Sequence, residues 1–138
     1  MIVIDASSLV KYILHEEGWD RISQYLKREE VLYSLDHMLK EVVNALWKHC
    51  IVKNLISRDT AIQIFKSLAR LVDLGMIVLE HEEAYLERAV TIALDNSISI
   101  YDALYLAQAE RFGGLVTSDK EQAEIARAIG IPYVDLIY

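Results

Sequence analysis

The stretch VTSDKEQAEIARAIGIPYV, residues 116–134, reads as a buried strand, a helix and a second strand. The first strand, LVTS (115–118), is apolar without polar alternation. The helix, 119–129, ends at Gly130, and Pro132 opens the strand YVDLI. Asp119 stands where strand gives way to helix. A carboxylate there is a favoured helix cap and equally a candidate for half of a site, and this stretch alone leaves both readings open.

The same alternation runs through the chain. MIVID is a short apolar run ending in Asp5, after which ASSLVKYILHEE takes helical spacing through Leu9, Val10, Ile13 and Leu14. Beyond Gly18, residues Trp19, Ile22, Tyr25 and Leu26 mark a second amphipathic helix. VLYSL (31–35) is a strand, and a long helix spans about 36–52. Ser57, followed by Arg58, Asp59 and Thr60, starts the helix that carries Ile62, Phe65, Leu68, Ala69 and Val72. Gly75 stops it, and MIVLE (76–80) is a third strand. Helices at about 82–95 and 101–112 follow, before Gly113 and Gly114 turn into the strand at 115. Apolar strands separated by helices imply βαβ units. The expected fold class is α/β, with a mostly parallel central sheet of about five strands covered on both faces.

A chain of 138 residues, 54% hydrophobic and 25% charged, fits one globular domain, 1–138. No apolar run approaches the roughly 20 residues of a membrane span, and the first residues lack the basic flank and cleavage site of a signal peptide, so a cytoplasmic protein with no membrane partner is expected. The one cysteine, Cys50, reads as a small buried hydrophobe within HMLKEVVNALWKHCIV. A net charge of −7 opposes a broad basic surface that binds nucleic acid by counterion release. Any polyanion would need local help, such as bound cations.

Several chemistries are excluded. There is no Gly-rich phosphate loop, dinucleotide fingerprint or nucleophile elbow. His15, His37, His49 and His81 lack metal-ligand spacing and read as surface or interface residues; Trp19, Trp47 and Tyr25 read as core or dimer contacts. Lys11, Lys48 and Lys120 lie near acids in the sequence and are candidates for touching phosphate.

The acids are more informative. In open α/β sheets, ligands bind beyond the carboxyl ends of the strands where strand order reverses, so Asp5 and Asp119 would face each other if the first and fourth strands are neighbours there. Asp102 interrupts a helix that is apolar nearly all round, projecting between Ala109 and Leu106. Glu41 lies beside Met38 and Ala45 at the margin of an apolar arc. Each acid also has a plainer reading. Ser99 to Asp102 and Ser118 to Glu121 have capping-box form, and Asp5 precedes a helix. If the acids converge, however, they would raise one another's pKa values or bind a cation, since two like charges about 4 Å apart repel by about 4 kcal/mol at an effective dielectric near 20. An all-oxygen site suits Mg²⁺ or Mn²⁺ and leaves ligand positions for water and substrate phosphate.

IVIDASSLVKYILHEE, EVVNALWK from Glu41, and SISIYDALYLAQAERFGGLVTSDKEQAEIARAIGI from Ser97 resemble the PIN domain family, in particular its compact VapC-type toxins. The resemblance runs from Met1 to Tyr138 and is weakest over 53–96. It implies a PIN-like three-layer α/β/α fold and a metal-dependent endoribonuclease, the toxin of a type II toxin–antitoxin pair, leaving 5′-phosphate and 3′-hydroxyl ends. Matched position by position, the catalytic and metal-holding acids fall on Asp5, Glu41, Asp102 and Asp119, with Ser7 and Thr117 at supporting hydroxyl positions. The implied cofactor is Mg²⁺ or Mn²⁺. The implied partners are an RNA substrate, a small antitoxin that places a basic side chain in the acidic cleft, and a second copy in a homodimer. Gln108 departs from the family pattern, where a small apolar residue is commoner.

Two alternatives come from other classes. A non-catalytic α/β interaction module would bind a partner peptide in the acidic cleft and need no metal. A receiver-like phosphoacceptor would want a second acid after strand one and a lysine after the last strand, and neither is present.

Overall fold

Five apolar runs form five strands in the computed structural model, which describes residues 1–138: β1 (Ile2–Ile4), β2 (Leu32–Leu35), β3 (Ile77–Glu80), β4 (Gly114–Thr117) and β5 (Tyr133–Leu136). All pair in parallel, in the order β3-β2-β1-β4-β5. Seven α-helices accompany them: α1 (Ala6–Ile13), α2 (Trp19–Lys27), α3 (Met38–Trp47), α4 (Arg58–Asp73), α5 (Leu86–Asn96), α6 (Ile100–Phe112) and α7 (Lys120–Ala128). Successive strand residues point to opposite faces. Val3 and Ile4, like Leu115 and Val116, have no exposed surface, so helices cover the sheet on both sides. The expected three-layer α/β/α arrangement is the observed one.

The chain steps from β1 outward through β2 to β3, then crosses to the other flank of β1 for β4 and β5. Strand order therefore reverses between β1 and β4. The register Val3 to Leu115 and Ile4 to Val116 carries on past the strand, where the Asp5 amide donates to Val116 O at 3.3 Å. Beneath this point lies α6, which buries every residue from Ala103 to Ala109 and packs on β1, β2 and β4. A helix that is apolar all round has to be central. Gly113 closes it with φ of 84°, a left-handed conformation that a Cβ would strain.

Two helices differ from their expected form. The segment expected as one helix over 36–52 is α-helical only to Trp47 and ends in a π-helical turn, Lys48–Val52, closed by the Lys53 amide on Lys48 O at 2.9 Å. His49 Nδ1, 3.0 Å from Ala45 O, partners a carbonyl where the helix widens. The helix expected over 82–95 opens instead as a 3₁₀ turn, Glu82–Tyr85, pinned by the Tyr85 hydroxyl on Glu80 Oε1 at 2.5 Å. Strand β5, at one edge, is tied to α2 by Arg21 on Asp135 at 2.6 Å and by Tyr25, whose hydroxyl meets Tyr133 and Asp135. No helix is long and apolar enough to cross a membrane.

If α6 is the centre of the core, Leu106→Ala, at a site with 0% exposure, lowers unfolding free energy by about 2–5 kcal/mol. Leu94→Ala, at 77% exposure on α5, leaves it within about 0.5 kcal/mol. Urea unfolding followed by circular dichroism measures both, and equal losses would remove α6 from the core.

Candidate active site

Asp5 leaves β1 as the N-cap of α1, its Oδ1 accepting from the Ser8 amide at 3.2 Å. Asp119 does the same for α7, its Oδ1 accepting from the Gln122 amide at 3.2 Å. The cap of α7 is thus Asp119 and not Ser118, which correction removes the capping box expected from Ser118 to Glu121. At α6 the expected cap is present: Ser99 Oγ accepts from the Asp102 amide at 3.3 Å. Capping and convergence coexist. Asp5, Glu41, Asp102 and Asp119 all line one cleft of about 210 Å³, together with Ser7, Val10 and Tyr105.

Hydroxyl groups set the geometry at its floor. Ser7 Oγ donates to Asp5 Oδ1 at 2.6 Å and accepts from the Ser118 amide at 2.9 Å. Thr117 Oγ1 donates to Asp5 Oδ2 at 2.5 Å and accepts from the Asp119 amide at 3.1 Å. Each hydroxyl takes a backbone proton from the β4–α7 turn and turns its own toward Asp5, so both carboxylate oxygens are fixed. The Gln122 side-chain Nε2 donates to the Asp102 backbone O at 2.9 Å and joins α7 to α6 behind the acids.

Charge and burial oppose each other here. Asp5 is 4% exposed, and burial pushes its pKa up to about 6; the hydrogen bonds from Ser7, Thr117 and the Ser8 amide restrain that rise, and the charge of Asp102 adds to it. Burial likewise raises Asp102, followed by repulsion from Asp119; the Ser99 side chain restrains the rise, and the charge of Glu41 adds to it. A buried carboxylate facing like charges is a group that a cation would relieve.

The family model of the PIN domain matches residues 2–128. The chain belongs to the PIN domain family. This PIN domain is 32% identical to Ribonuclease VapC3 of Pyrobaculum aerophilum over 132 residues, 95% of this chain and 98% of that protein. It also resembles the crystal structure of PAE2754 from Pyrobaculum aerophilum, with a TM-score of 0.64 at 24% identity, covering 98% of this chain and 90% of that one, a likeness of fold.

Two residues of the site escaped the sequence reading. Tyr105, one helical turn after Asp102 and 1% exposed, donates from its hydroxyl to Glu41 Oε1 at 2.9 Å. In the sequence it is one more aromatic among the apolar residues of α6. His37, expected at the surface or an interface, is 5% exposed and lies against Glu41 and Glu82, because α3 starts by folding this ring in against Tyr105. Burial opposes its protonation, but the close contact with Glu41 and the charges of Glu41 and Glu82 outweigh it, and its pKa is raised. The signal was its spacing four residues before Glu41.

The remaining expectations divide. Of the aromatic residues, Tyr25 is core, whereas Trp47 is 52% exposed beside Val43, Leu46, Ile62 and Phe65 in an apolar groove of about 470 Å³ between α3 and α4. Cys50 is half-buried in that groove, not fully enclosed. No lysine lines the acidic cleft, and Lys11 Nζ bonds Glu17 O at 3.0 Å. Gln108, wholly buried, donates to Ser34 O at 2.8 Å and Glu80 Oε1 at 2.9 Å, which accounts for a polar residue in a central helix.

The Asp5 shift has a sign that can be tested. Its pKa is raised from 3.8 to about 6 in the fold, so the protonated form is favoured there and the metal-free protein loses stability as pH rises from about 4 through 6. A shift of this size corresponds to about 3 kcal/mol at most. Asp5→Asn keeps the cap and removes the charge, so in EDTA its melting temperature exceeds that of the wild type above pH 6.5 and converges with it near pH 4. Parallel melting curves across that range would rule out the buried charge.

Proposed function

We propose that this PIN domain is a metal-dependent endoribonuclease that hydrolyses RNA phosphodiester bonds, and that it acts in the cytoplasm as the toxin of a type II toxin–antitoxin pair. The observation that carries the reading is the meeting of four carboxylates in one cleft at the point where strand order reverses. The relative at 32% identity is a ribonuclease by name.

The donor set fits a hard divalent cation: every acid in the cleft offers oxygen, no thiolate or imidazole lines it, and one carboxylate is buried at a cost that a cation offsets. Asp5, Asp102 and Asp119 would hold Mg²⁺ or Mn²⁺ directly or through water, and Glu41 would serve as a further ligand or as the base that orients water. When bound, such an ion acidifies water and neutralises the charge that develops on the scissile phosphate. The chain's own residues supply the positioning. Ser7 and Thr117 present Asp5 in one orientation, the Asp119 amide locks Thr117, and Tyr105 holds one oxygen of Glu41. Water adds to phosphorus, and the 3′-oxygen leaves with a proton, giving 5′-phosphate and 3′-hydroxyl ends.

The acidic surface gives RNA no general attraction, which places substrate binding on the cation and on contacts flanking the cleft. A small antitoxin would inhibit by bringing a basic side chain to the same carboxylates, with the apolar groove of α3 and α4 available to its apolar residues. A homodimer is the proposed assembly, and the whole chain, 1–138, its single domain.

Fluorogenic single-stranded RNA incubated with the purified protein is expected to be cut with Mn²⁺ or Mg²⁺ and left intact with EDTA. Asp5→Asn, prepared identically, is expected to show no cutting. Cleavage that persists in EDTA or in the variant would mean a contaminant or a different site. An intact substrate combined with no metal binding by calorimetry would favour the interaction module.

A further inference from the structure

His37 is enclosed at the start of α3, one turn before Glu41, and its two ring nitrogens face different carboxylates. Nδ1 lies 3.2 Å from Glu82 Oε2, on the turn after β3. Nε2 lies 3.0 Å from Glu41 Oε1, an ionic contact without the alignment of a hydrogen bond. The ring is also wedged between aromatic neighbours, its centroid 4.9 Å from that of Tyr105 and 5.8 Å from that of Tyr101. The Tyr105 hydroxyl reaches the same Glu41 oxygen at 2.9 Å. Two rigid groups thus meet on Oε1, and Oε2 is the oxygen of Glu41 left without a protein donor.

Glu41 needs such a constraint. Its side chain is 34% exposed, on a long flexible stem, whereas Asp5 is buried and held on both oxygens. A glutamate in that position loses rotamer freedom when it engages a ligand, and a fixed neighbour removes part of that loss in advance. Glu82 holds the ring from its far side, as outer-shell carboxylates commonly fix the histidines they contact.

We infer that His37 is a positioning residue: braced by Glu82 and Tyr105, it fixes the Glu41 carboxylate so that the free oxygen is available to a divalent cation in the cleft. The inference rests on the reading of that cleft as a cation site. Its sequence signal is the His-x-x-x-Glu spacing within DHMLKE, residues 36–41.

Glutamine and asparagine separate the two ring nitrogens. His37→Gln places an amide nitrogen near the position of Nε2 and can still meet Glu41. His37→Asn places one near Nδ1 and meets only Glu82. Titration calorimetry of the full chain with Mn²⁺ alone is expected to give His37→Gln an affinity within about threefold of the wild type and His37→Asn a loss of about tenfold or more. Melting temperatures in EDTA check that both variants fold. A merely structural histidine predicts that the two amides behave alike, so equal affinities, or a larger loss for glutamine, overturn the proposal. A wild-type protein that binds no Mn²⁺ overturns the reading of the cleft itself, and the inference with it; a wild type that binds alongside an unaffected His37→Asn overturns only the inference.

Discussion

The parallel pairing of β1 with β4 is the constraint on which the cleft depends. Were β4 placed at the β3 edge instead, the acids would lie strands apart. Because β4 pairs with β1, the hydroxyl of Thr117 meets a carboxylate 112 residues earlier in the chain. The pairing also fixes depth. With Ile4 opposite Val116, the ladder carries the Asp5 amide onto Val116 O, so Asp5 emerges level with Thr117, and the turn that follows brings Ser118 and Asp119 amides back onto Ser7 and Thr117. A slip of one residue would turn the Asp5 side chain to the other face of the sheet and leave both hydroxyls without their acceptor.

The carboxylates that would meet a cation in the proposed function are also helix caps, and the hydrogen bonds they accept fix their orientation. Asp5 accepts the Ser8 amide on Oδ1 while Thr117 occupies Oδ2, and Asp119 accepts the Gln122 amide on Oδ1. The positive ends of α1 and α7 therefore lie beside the two acids. That interaction lessens a repulsion that burial would otherwise make severe, and it holds whether or not a cation is present. Ser99 relieves Asp102 differently, by taking the capping role onto its own hydroxyl. The fold thus keeps a charged cluster tolerable in the apo protein without neutralising it.

How much of this the sequence discloses depends on the distance over which each feature is specified. The order of elements is local: apolar runs, Gly18, Gly75 and Gly113 mark them, and the boundaries agree within a residue or two except where helices change type. The π turn after Trp47 and the 3₁₀ turn at Glu82 follow from contacts at Ala45 and Glu80 that periodicity does not register. Asp5 and Asp119 are legible because both occupy strand ends, where the topology rule acts on them together. Glu41 is less so, since its place depends on how α3 is rotated against α6. Tyr105 depends on that same rotation, so an aromatic on an apolar helix gave no warning of its contact with Glu41, whereas His37 is placed beside Glu41 by the four-residue spacing within one helix.

The sign of the cleft also orders the events of the proposed reaction. Four acids and no lysine line it, in a protein of net charge −7, so the empty cleft repels a phosphodiester. In the proposed function, the four carboxylates would hold a divalent cation that would offset two of those charges and give phosphate oxygens a partner. An inhibitor bearing a basic side chain would exploit the same field from the opposite direction. It would require no shape match with RNA, because a basic group placed among Asp5, Asp102 and Asp119 would compete for the charge on which the proposed substrate binding depends. If the carboxylates hold a metal as proposed, the same charges would also open the cleft to control by a basic protein segment, and removing one acid would weaken both properties.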